Sequence, residues 1–181
     1  MIPEVPQRQD ELYTEVARDF GPAIERLAKA YEADPERRRD LMQEIHVALW
    51  RSFEAFDGRC GMRTWVYRVA HNVSSTHVIR DRRTYSRELS RELVSLEAVE
   101  SAAAAPQNEA ADLDNQRALE RLTTLIRRLK PLDRQVIVLY LEGMDAASIG
   151  EISGISAGNT ATKIHRIKAI LARQFHQGGR L

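Results

Sequence analysis

Apolar residues in this chain recur every three or four positions, which is the period of an α-helix. The clearest stripe has a spacing of four and consists of Leu41, Ile45, Leu49 and Phe53. Such a stripe predicts the buried face of an amphipathic helix. Since no segment alternates convincingly as a strand would, the sequence predicts an all-α protein.

Turn and capping residues divide this pattern into separate helices. The dipeptide Gly21-Pro22 is expected to interrupt the first helix or to restart it. Gly154 is expected to make a turn between two helices, and Ser156 to cap the last one. Helices are predicted over residues 15–33, 36–56, 63–83, 116–129, 133–141, 145–153 and 156–176.

A change of composition separates two helical units. The segment ESAAAAPQNEAADLDN, residues 100–115, contains alanines, acids and a proline, and Leu113 is its one large apolar residue. Because such a segment buries little apolar surface, it predicts a flexible acidic linker. We therefore expect a helical bundle over residues 10–91, a linker over 92–115 and a helix-turn-helix unit over 116–176.

The net charge of +1 conceals an uneven distribution. Residues 59–91 contain eight arginines and two acids, and residues 115–181 contain eleven basic residues and five acids. By contrast, residues 1–58 contain eight basic residues and thirteen acids, and residues 92–114 contain six acids and no base. The two basic blocks predict two anion-binding surfaces on one chain.

Several classes of protein are disfavoured by the sequence. The longest apolar run, residues 136–141, is too short to cross a bilayer, and the polar first ten residues do not resemble a signal peptide. The single cysteine, Cys60, fits a reducing cytoplasm. Cysteine and histidine spacing predicts no metal site, and no nucleophile–base or phosphate-loop pattern is present. We expect a cytoplasmic protein that is not an enzyme and needs no cofactor.

The C-terminal block has the helix–turn–helix order, which places the first turns of its second helix in the DNA major groove. Asparagine can pair with adenine, threonine can contact a thymine methyl, and lysine or arginine can bind phosphate or guanine. The alternative is a two-helix hairpin with a solvated basic face. The absence of acids from residue 156 to 171 favours DNA binding.

The N-terminal block contains GMRTWVYRVAHNVSSTHVIRDRR, residues 61–83, in which aromatic residues alternate with basic ones. Aromatic rings can stack on unpaired bases while arginines hold the backbone. The alternative, favoured for Trp65 alone, is that the ring belongs to the core. The preceding predicted helix carries Asp40 and Glu44 near its start, where they could bind a partner or simply stabilise the helix dipole.

Together these stretches resemble the extracytoplasmic-function, or group IV, sigma factors of bacterial RNA polymerase. The resemblance covers about residues 12–83 and 116–173, and its motifs occur in the family's order. The matching segments are DLMQE, RTWVYRVAHN, RDRR, LKPLDRQVIVLYLEGMDAASIGEISGIS and AGNTATKIHRIKAIL. The resemblance implies a sigma-2-like helical bundle and a sigma-4-like helix-turn-helix unit, joined by the acidic linker.

The resemblance also implies roles for particular residues. The residues expected to bind core RNA polymerase, through its beta and beta-prime subunits, are Asp40, Leu41, Gln43, Glu44, Trp50 and Phe53. Those expected to bind the melted −10 element are Gly58, Arg59, Met62, Arg63, Trp65, Arg68, His71, Asn72, Ser75, Arg80 and Arg83. Those expected to read the −35 element are Ser156, Asn159, Thr160, Thr162, Lys163 and Arg166. The implied function is an alternative sigma factor that melts promoter DNA and initiates transcription, with an anti-sigma factor as a further partner.

The chain departs from the family pattern at a few positions. Met62 stands where phenylalanine is usual, Thr76 where aspartate is usual, and Ala161 where a lysine is usual. The change at Ala161 removes a contact with phosphate or base, so the −35 preference of the family cannot be transferred. Two other interpretations stay open from the residues alone: a stand-alone helix-turn-helix regulator, and an interaction protein that binds no DNA.

Overall fold

The computed structural model describes the backbone of residues 5–91 and 110–177, and the side chains of residues 8–80 and 114–176. Within these ranges the secondary structure is helical, which confirms the predicted fold class. The helices are α1 Val5–Tyr31, α2 Pro35–Ser52, α3 Met62–Arg91, α4 Ala110–Arg127, α5 Pro131–Leu141, α6 Ala146–Ser153 and α7 Ala157–Gln177. A short 3-10 turn, Phe53–Ala55, follows α2.

The first helix is continuous through Gly21-Pro22, so the expected interruption is wrong. Val16 before the proline and Ile24 and Leu27 after it are almost fully buried. Packing on both sides of the proline outweighs the loss of one backbone hydrogen bond. In contrast, α2 begins as its sequence suggests, because the Asp34 carboxylate accepts hydrogen bonds from the first free amides and proline stands at the first helical position.

Two helices extend beyond their predicted limits. Helix α3 continues to Arg91, and no glycine or proline lies between residues 62 and 91 to end it. Helix α4 begins at Ala110, inside the predicted linker. Alanine is the best helix former, and acids in the first turns favour the positive end of the helix dipole. The rest of the predicted linker, residues 92–109, lies outside the described residues.

Helices α1, α2 and α3 form an N-terminal unit around the predicted stripe of α2. Leu41, Ile45 and Leu49 are fully buried there, and Val66 and Ala70 of α3 pack into the same core. Trp65, Val69 and Val73, each one residue before a buried position of α3, are only partly buried.

Helices α4 to α7 form a C-terminal unit that contains the helix-turn-helix. Asp145 caps α6, and Gly154 ends it with a φ of 73° that favours glycine. Gly150 allows α6 to lie against the turn, because a Cβ there would be 2.5 Å from the carbonyl oxygen of Ile155. Ile149, Ile152, Ile164 and Ile167 are buried between these helices.

The two units pack against each other, and their buried apolar residues form one continuous cluster. At the junction, the Arg134 guanidinium of α5 lies 5.2 Å from the ring centroid of Tyr31 in α1. Arg127 also donates a 3.2 Å hydrogen bond to the carbonyl oxygen of Lys29. None of the described helices has the length and apolar character needed to cross a membrane.

Candidate nucleic-acid interface

The first turns of α7 present a polar face to solvent. Asn159, Thr162 and Arg166 are exposed, and their spacing of three and four residues places them on one side of the helix. Ser156 caps the helix, because its hydroxyl oxygen accepts a 3.3 Å hydrogen bond from the Asn159 amide. This face carries the amide, hydroxyl and guanidinium groups that direct readout of a duplex requires.

Thr160 does not belong to that exposed face, which corrects the expectation that it contacts DNA. Its side chain is fully buried, and its hydroxyl donates a 3.0 Å hydrogen bond to the carbonyl oxygen of Ser156. The residue lies where α7 crosses α6, close to Gly150. Its role in this structure is to hold the turn of the helix-turn-helix.

Lys163 and Arg166 share one acidic neighbour, Asp133 at the start of α5. The Lys163 ammonium lies 2.5 Å from one Asp133 carboxylate oxygen, and the Arg166 guanidinium lies 3.8 Å from the other. The Lys163 side chain is only 24% exposed, whereas that of Arg166 is 63% exposed. Arg166 is therefore the more accessible cation on this face.

The second basic surface begins with the loop before α3. Gly58, with a φ of 76°, and Arg59 are exposed, while Met62 is half-buried at the start of the helix. The half-buried Trp65 donates a 2.9 Å hydrogen bond to the Ser52 hydroxyl, and its ring packs edge-on against Phe56 at 5.3 Å between centroids. Trp65 therefore supports the loop, while part of its side chain stays accessible.

His71 was expected to follow the melted strand, and the structure corrects this. The side chain is fully buried, and its Nδ1 atom lies 2.9 Å from the Tyr31 hydroxyl. Burial lowers the pKa of His71 to about 3 and raises that of Tyr31 to about 12. A neutral, enclosed imidazole cannot contact a phosphate, so His71 belongs to the polar core of the N-terminal unit.

The other expected residues of α3 differ in accessibility. Arg63, Asn72 and Arg80 are exposed, and Arg68 and Ser75 are half-buried. The backbone of Arg83 is helical, but its side chain lies outside the described residues. These positions are spread along one long helix, so the structure gives a row of polar groups rather than a closed pocket.

Three of these arginines are paired with acidic or carbonyl oxygens. Arg80 lies 2.6 Å from Glu44 of α2, within the N-terminal unit. Arg68 lies 2.6 Å from Glu151 of α6, and Arg63 donates to the backbone carbonyl oxygen of Glu142. The last two contacts join α3 to the C-terminal unit.

Helix α2 presents a second kind of surface, which is mixed polar and apolar. Asp40, Gln43, Val47 and Trp50 are exposed at spacings of three and four residues. Val47 is 48% exposed and Trp50 is 38% exposed, which is unusual for large apolar side chains on one stripe. Such a stripe is typical of a helix face that binds another protein.

Two residues expected to bind the polymerase are buried instead. Leu41 is fully buried and Phe53 is 4% exposed, so both pack in the core of the N-terminal unit. The reason is geometric, because the apolar stripe of α2 faces α1 and α3 and leaves the opposite face for a partner. These two residues support the exposed face without forming it.

Comparison with known proteins assigns both units. The profile of Sigma-70 region 2 matches residues 16–84, and that of Sigma-70 region 4 matches residues 119–171. The extracytoplasmic-function RNA polymerase sigma factor SigW of Bacillus subtilis strain 168 is 24% identical over 177 residues, which cover 96% of this chain and 94% of SigW. The chain belongs to the extracytoplasmic-function sigma-70 family. It is an alternative sigma factor for transcription initiation, and proteins of this family are generally not enzymes.

Two solved structures share the fold of this sigma factor. CnrH in complex with the cytosolic domain of CnrY superposes with a TM-score of 0.64 at 20% identity, covering 96% of this chain and 94% of CnrH. RpoE in complex with the anti-sigma factor NepR, from Bartonella quintana, superposes with a TM-score of 0.63 at 16% identity, covering 91% of this chain and 96% of RpoE.

Some residues of these surfaces were not predicted from the sequence. Val47 could have been found, because an apolar residue on the polar side of an amphipathic helix is a detectable irregularity. The roles of Asp133, Glu142 and Glu151 as neighbours of basic side chains depend on contacts between distant segments. No local pattern indicates those contacts.

Proposed function

We propose that this sigma factor binds core RNA polymerase through α2, the melted −10 strand through α3 and the −35 duplex through α7. The domains that serve these roles are residues 10–91 and 116–176, with residues 92–115 between them. The observation that carries the proposal is that each unit has its own polar or basic helix face, while the exposed face of α2 carries two large apolar side chains among polar ones. A protein that opens a promoter needs all three surfaces.

The polymerase surface is the exposed stripe of α2, formed by Asp40, Gln43, Val47 and Trp50. The Trp50 indole donates a 2.7 Å hydrogen bond to Asp10 of α1, which fixes the ring at the edge of the stripe. A fixed aromatic ring binds a partner at a lower entropic cost than a mobile one. Large apolar groups surrounded by polar ones are typical of the residues that dominate binding energy. Glu44 supports this stripe through its ion pair with Arg80.

The −10 surface comprises the loop at Gly58 and Arg59 with the exposed positions of α3. Trp65 and Met62 are half-buried beside that loop and offer apolar contact for an unstacked base. Arg63 and Arg68 would bind the backbone of the same strand. Flipping a base costs a few kcal/mol, which these contacts must offset.

The −35 surface is the face of α7 that carries Asn159, Thr162 and Arg166. Its cap at Ser156 places free backbone amides beside the groove, where a phosphate can bind. Ala161 is exposed beside them, at the position where the family has a lysine. We expect the −35 preference of this sigma factor to differ from those of relatives that keep the lysine.

Two further aspects follow from the family. An anti-sigma factor is proposed as a partner, because one of the two solved structures is described as a complex with such a protein. The place of action is proposed to be the cytoplasm, where bacterial RNA polymerase works.

Run-off transcription with core RNA polymerase on genomic fragments tests this proposal. The wild-type chain should produce discrete start sites. Val47→Asp should weaken binding to core polymerase by roughly tenfold, because it replaces an apolar contact of the exposed α2 stripe with a charge. Ala33→Asp makes the same change of charge at an exposed turn outside the stripe and serves as the control.

The two arms of this experiment separate two failures. Absence of any start site with wild-type protein would reject the sigma function itself. Normal core binding by Val47→Asp would instead reject the assignment of the α2 stripe, while leaving the function standing.

A further inference from the structure

One carboxylate of the C-terminal unit binds several groups of the N-terminal unit. Glu142, at the end of α5, is only 10% exposed. Its two oxygens accept hydrogen bonds from the Arg26 guanidinium at 2.8 and 2.7 Å, a bidentate pair. The Tyr67 hydroxyl of α3 donates a third hydrogen bond, at 3.1 Å. Burial first, and then the Glu142 charge, raise the pKa of Tyr67 to about 12.

Two neighbouring contacts engage arginines that belong to the proposed −10 surface. Arg63 donates to the backbone carbonyl oxygen of Glu142, and Arg68 lies 2.6 Å from the carboxylate of Glu151. Arg63 and Arg68 are five residues apart on α3, while Glu142 and Glu151 lie on either side of the α5–α6 turn. We call these contacts of Glu142 and Glu151 with Arg26, Arg63, Tyr67 and Arg68 the interdomain contact.

The chemistry of the interdomain contact resembles that of a bound nucleic-acid backbone. A guanidinium binds carboxylate and phosphate oxygens with the same fork of N–H donors. Arg63 and Arg68 direct donors toward the C-terminal unit, so these donors are not available to a DNA strand in the same conformation. The Glu142 backbone carbonyl oxygen and the Glu151 carboxylate thus occupy the places that phosphate oxygens would take on Arg63 and Arg68. The Glu142 carboxylate holds the two units together through Arg26 and Tyr67.

From this geometry we infer that Glu142 and Glu151 form an intramolecular surface that competes with single-stranded DNA for α3. In the free protein, donors of Arg63 and Arg68 are then engaged by the C-terminal unit, and separation of the two units releases them for a DNA strand. This inference rests on the proposed function for the identity of the strand-binding surface. The interdomain contact itself can be measured without polymerase.

Substitution of both acids by glutamine is the direct test, because glutamine keeps the size of the side chain and removes its charge. The probe is fluorescein-labelled oligothymidine of about 12 nucleotides, since backbone contacts do not depend on sequence. Full-length Glu142→Gln/Glu151→Gln should bind it about tenfold more tightly than wild type, a typical size for coupling between two sites. Fluorescence anisotropy gives the affinity, and small-angle X-ray scattering should show a larger radius of gyration.

Two controls separate opening from a simple change of charge. Glu11→Gln/Glu120→Gln removes two exposed acids outside the interdomain contact and should change the affinity less than about twofold. Arg26→Gln removes a positive charge, which by itself would weaken DNA binding. Because it also removes the bidentate partner of Glu142, we expect it to strengthen oligothymidine binding by about threefold.

The inference is overturned if the Glu142→Gln/Glu151→Gln protein binds oligothymidine no better than the Glu11→Gln/Glu120→Gln control. Weaker binding by Arg26→Gln would also overturn it. A small-angle scattering curve of the wild-type protein that fits two separated units would also overturn the inference, and this measurement needs no DNA. Failure of the sigma function would be seen separately, as the absence of run-off transcripts with core polymerase.

Discussion

Helices α3 and α7 both carry basic residues beside carboxylates, but the carboxylates come from different places. On α7, Lys163 is paired with Asp133, which belongs to the same unit. On α3, Arg80 is also paired within its own unit, with Glu44, but Arg68 contacts the Glu151 carboxylate of the other unit. Arg63 donates to the Glu142 backbone carbonyl oxygen, which also belongs to the other unit. The contacts of the basic residues on α7 are therefore made within one unit, whereas those of Arg63 and Arg68 on α3 depend on the relative position of the two units.

This difference has a consequence for promoter recognition. A duplex is present before melting, so a −35 surface that is already formed can bind it at once. A single strand exists only after melting, so a −10 surface that opens later avoids unproductive binding of other nucleic acids. If so, disturbing one unit should affect one helix and leave the other intact.

The largest expected effect is on the packing beneath α7. Gly150→Ala would place a Cβ 2.5 Å from the Ile155 carbonyl oxygen and 3.3 Å from the Thr160 hydroxyl oxygen. We expect the free energy of unfolding of the C-terminal unit to fall by about 3 kcal/mol, because backbone must move to relieve the overlap. Urea unfolding followed by circular dichroism measures this. Duplex binding should fall with it.

Gly21→Ala is the matched control for that change. It lies within helix α1, and a Cβ there meets nothing within 4 Å. Alanine is the better helix former, so this variant should be as stable as wild type or more stable by up to about 1 kcal/mol. Equal stability of both glycine variants would show that the α6 turn tolerates a side chain.

The next effect concerns the buried histidine under α3. Burial lowers the pKa of His71 from 6.5 to about 3, so between these values the unfolded chain binds a proton that the folded chain does not. The contribution to stability is complete above pH 6.5 and declines as the pH falls, by about 1.4 kcal/mol per pH unit. For His71→Asn, the plot of unfolding free energy against pH should lack this part of the slope.

Comparison of slopes isolates the histidine, because carboxylates titrate in both proteins. Parallel curves for wild type and His71→Asn between pH 6.5 and pH 4 would mean that His71 is protonated in the folded protein. Helix α7 lies in the C-terminal unit, so protonation near His71 should not affect its binding to duplex DNA. Loss of duplex binding between pH 6.5 and pH 4 would show that α3 and α7 are not independent.

The helical period was sufficient to predict most of the fold. The stripe from Leu41 to Leu49 and the isoleucines of the helix-turn-helix were recognisable because one face of each helix is apolar over several turns. The start of α4 at Ala110 was missed, because alanine and acids stabilise a helix end without burying large side chains. Packing across Pro22 was missed because it depends on other helices.

The candidate site was predictable in outline but not in detail. Motifs identified α3 and α7, yet they did not show that His71 and Thr160 face inward. A signal existed for His71, which lies four residues after the buried Tyr67 and three before the buried Ser74. The contact between Arg26 and Glu142 joins residues separated by 116 positions, so no local rule could have given it.

A smaller effect should sharpen the difference between the helices by strengthening α7 alone. Ala161→Lys restores the usual lysine of the family at an exposed position. We expect the affinity for −35 duplex DNA to rise about fivefold. The slope of log affinity against log salt concentration should steepen by about one unit, since one more phosphate is neutralised. Binding of oligothymidine by α3 should stay the same. An equal gain for both probes would indicate a general charge effect and not a contact of α7.

The smallest effect tests whether Asp133 restrains the basic face of α7. Asp133→Asn keeps the shape of the side chain and removes the charge that lies 2.5 Å from the Lys163 ammonium. With the lysine released toward phosphate, duplex affinity should rise about threefold and the salt dependence should steepen by about one counterion. Because a phosphate contact is the same on every sequence, discrimination between promoter and scrambled duplex should not improve. Weaker duplex binding by Asp133→Asn would have the opposite meaning, because it would show that the carboxylate orients Lys163 for DNA. The acidic neighbour of α7 would then assist DNA binding, whereas Glu151 opposes it at α3.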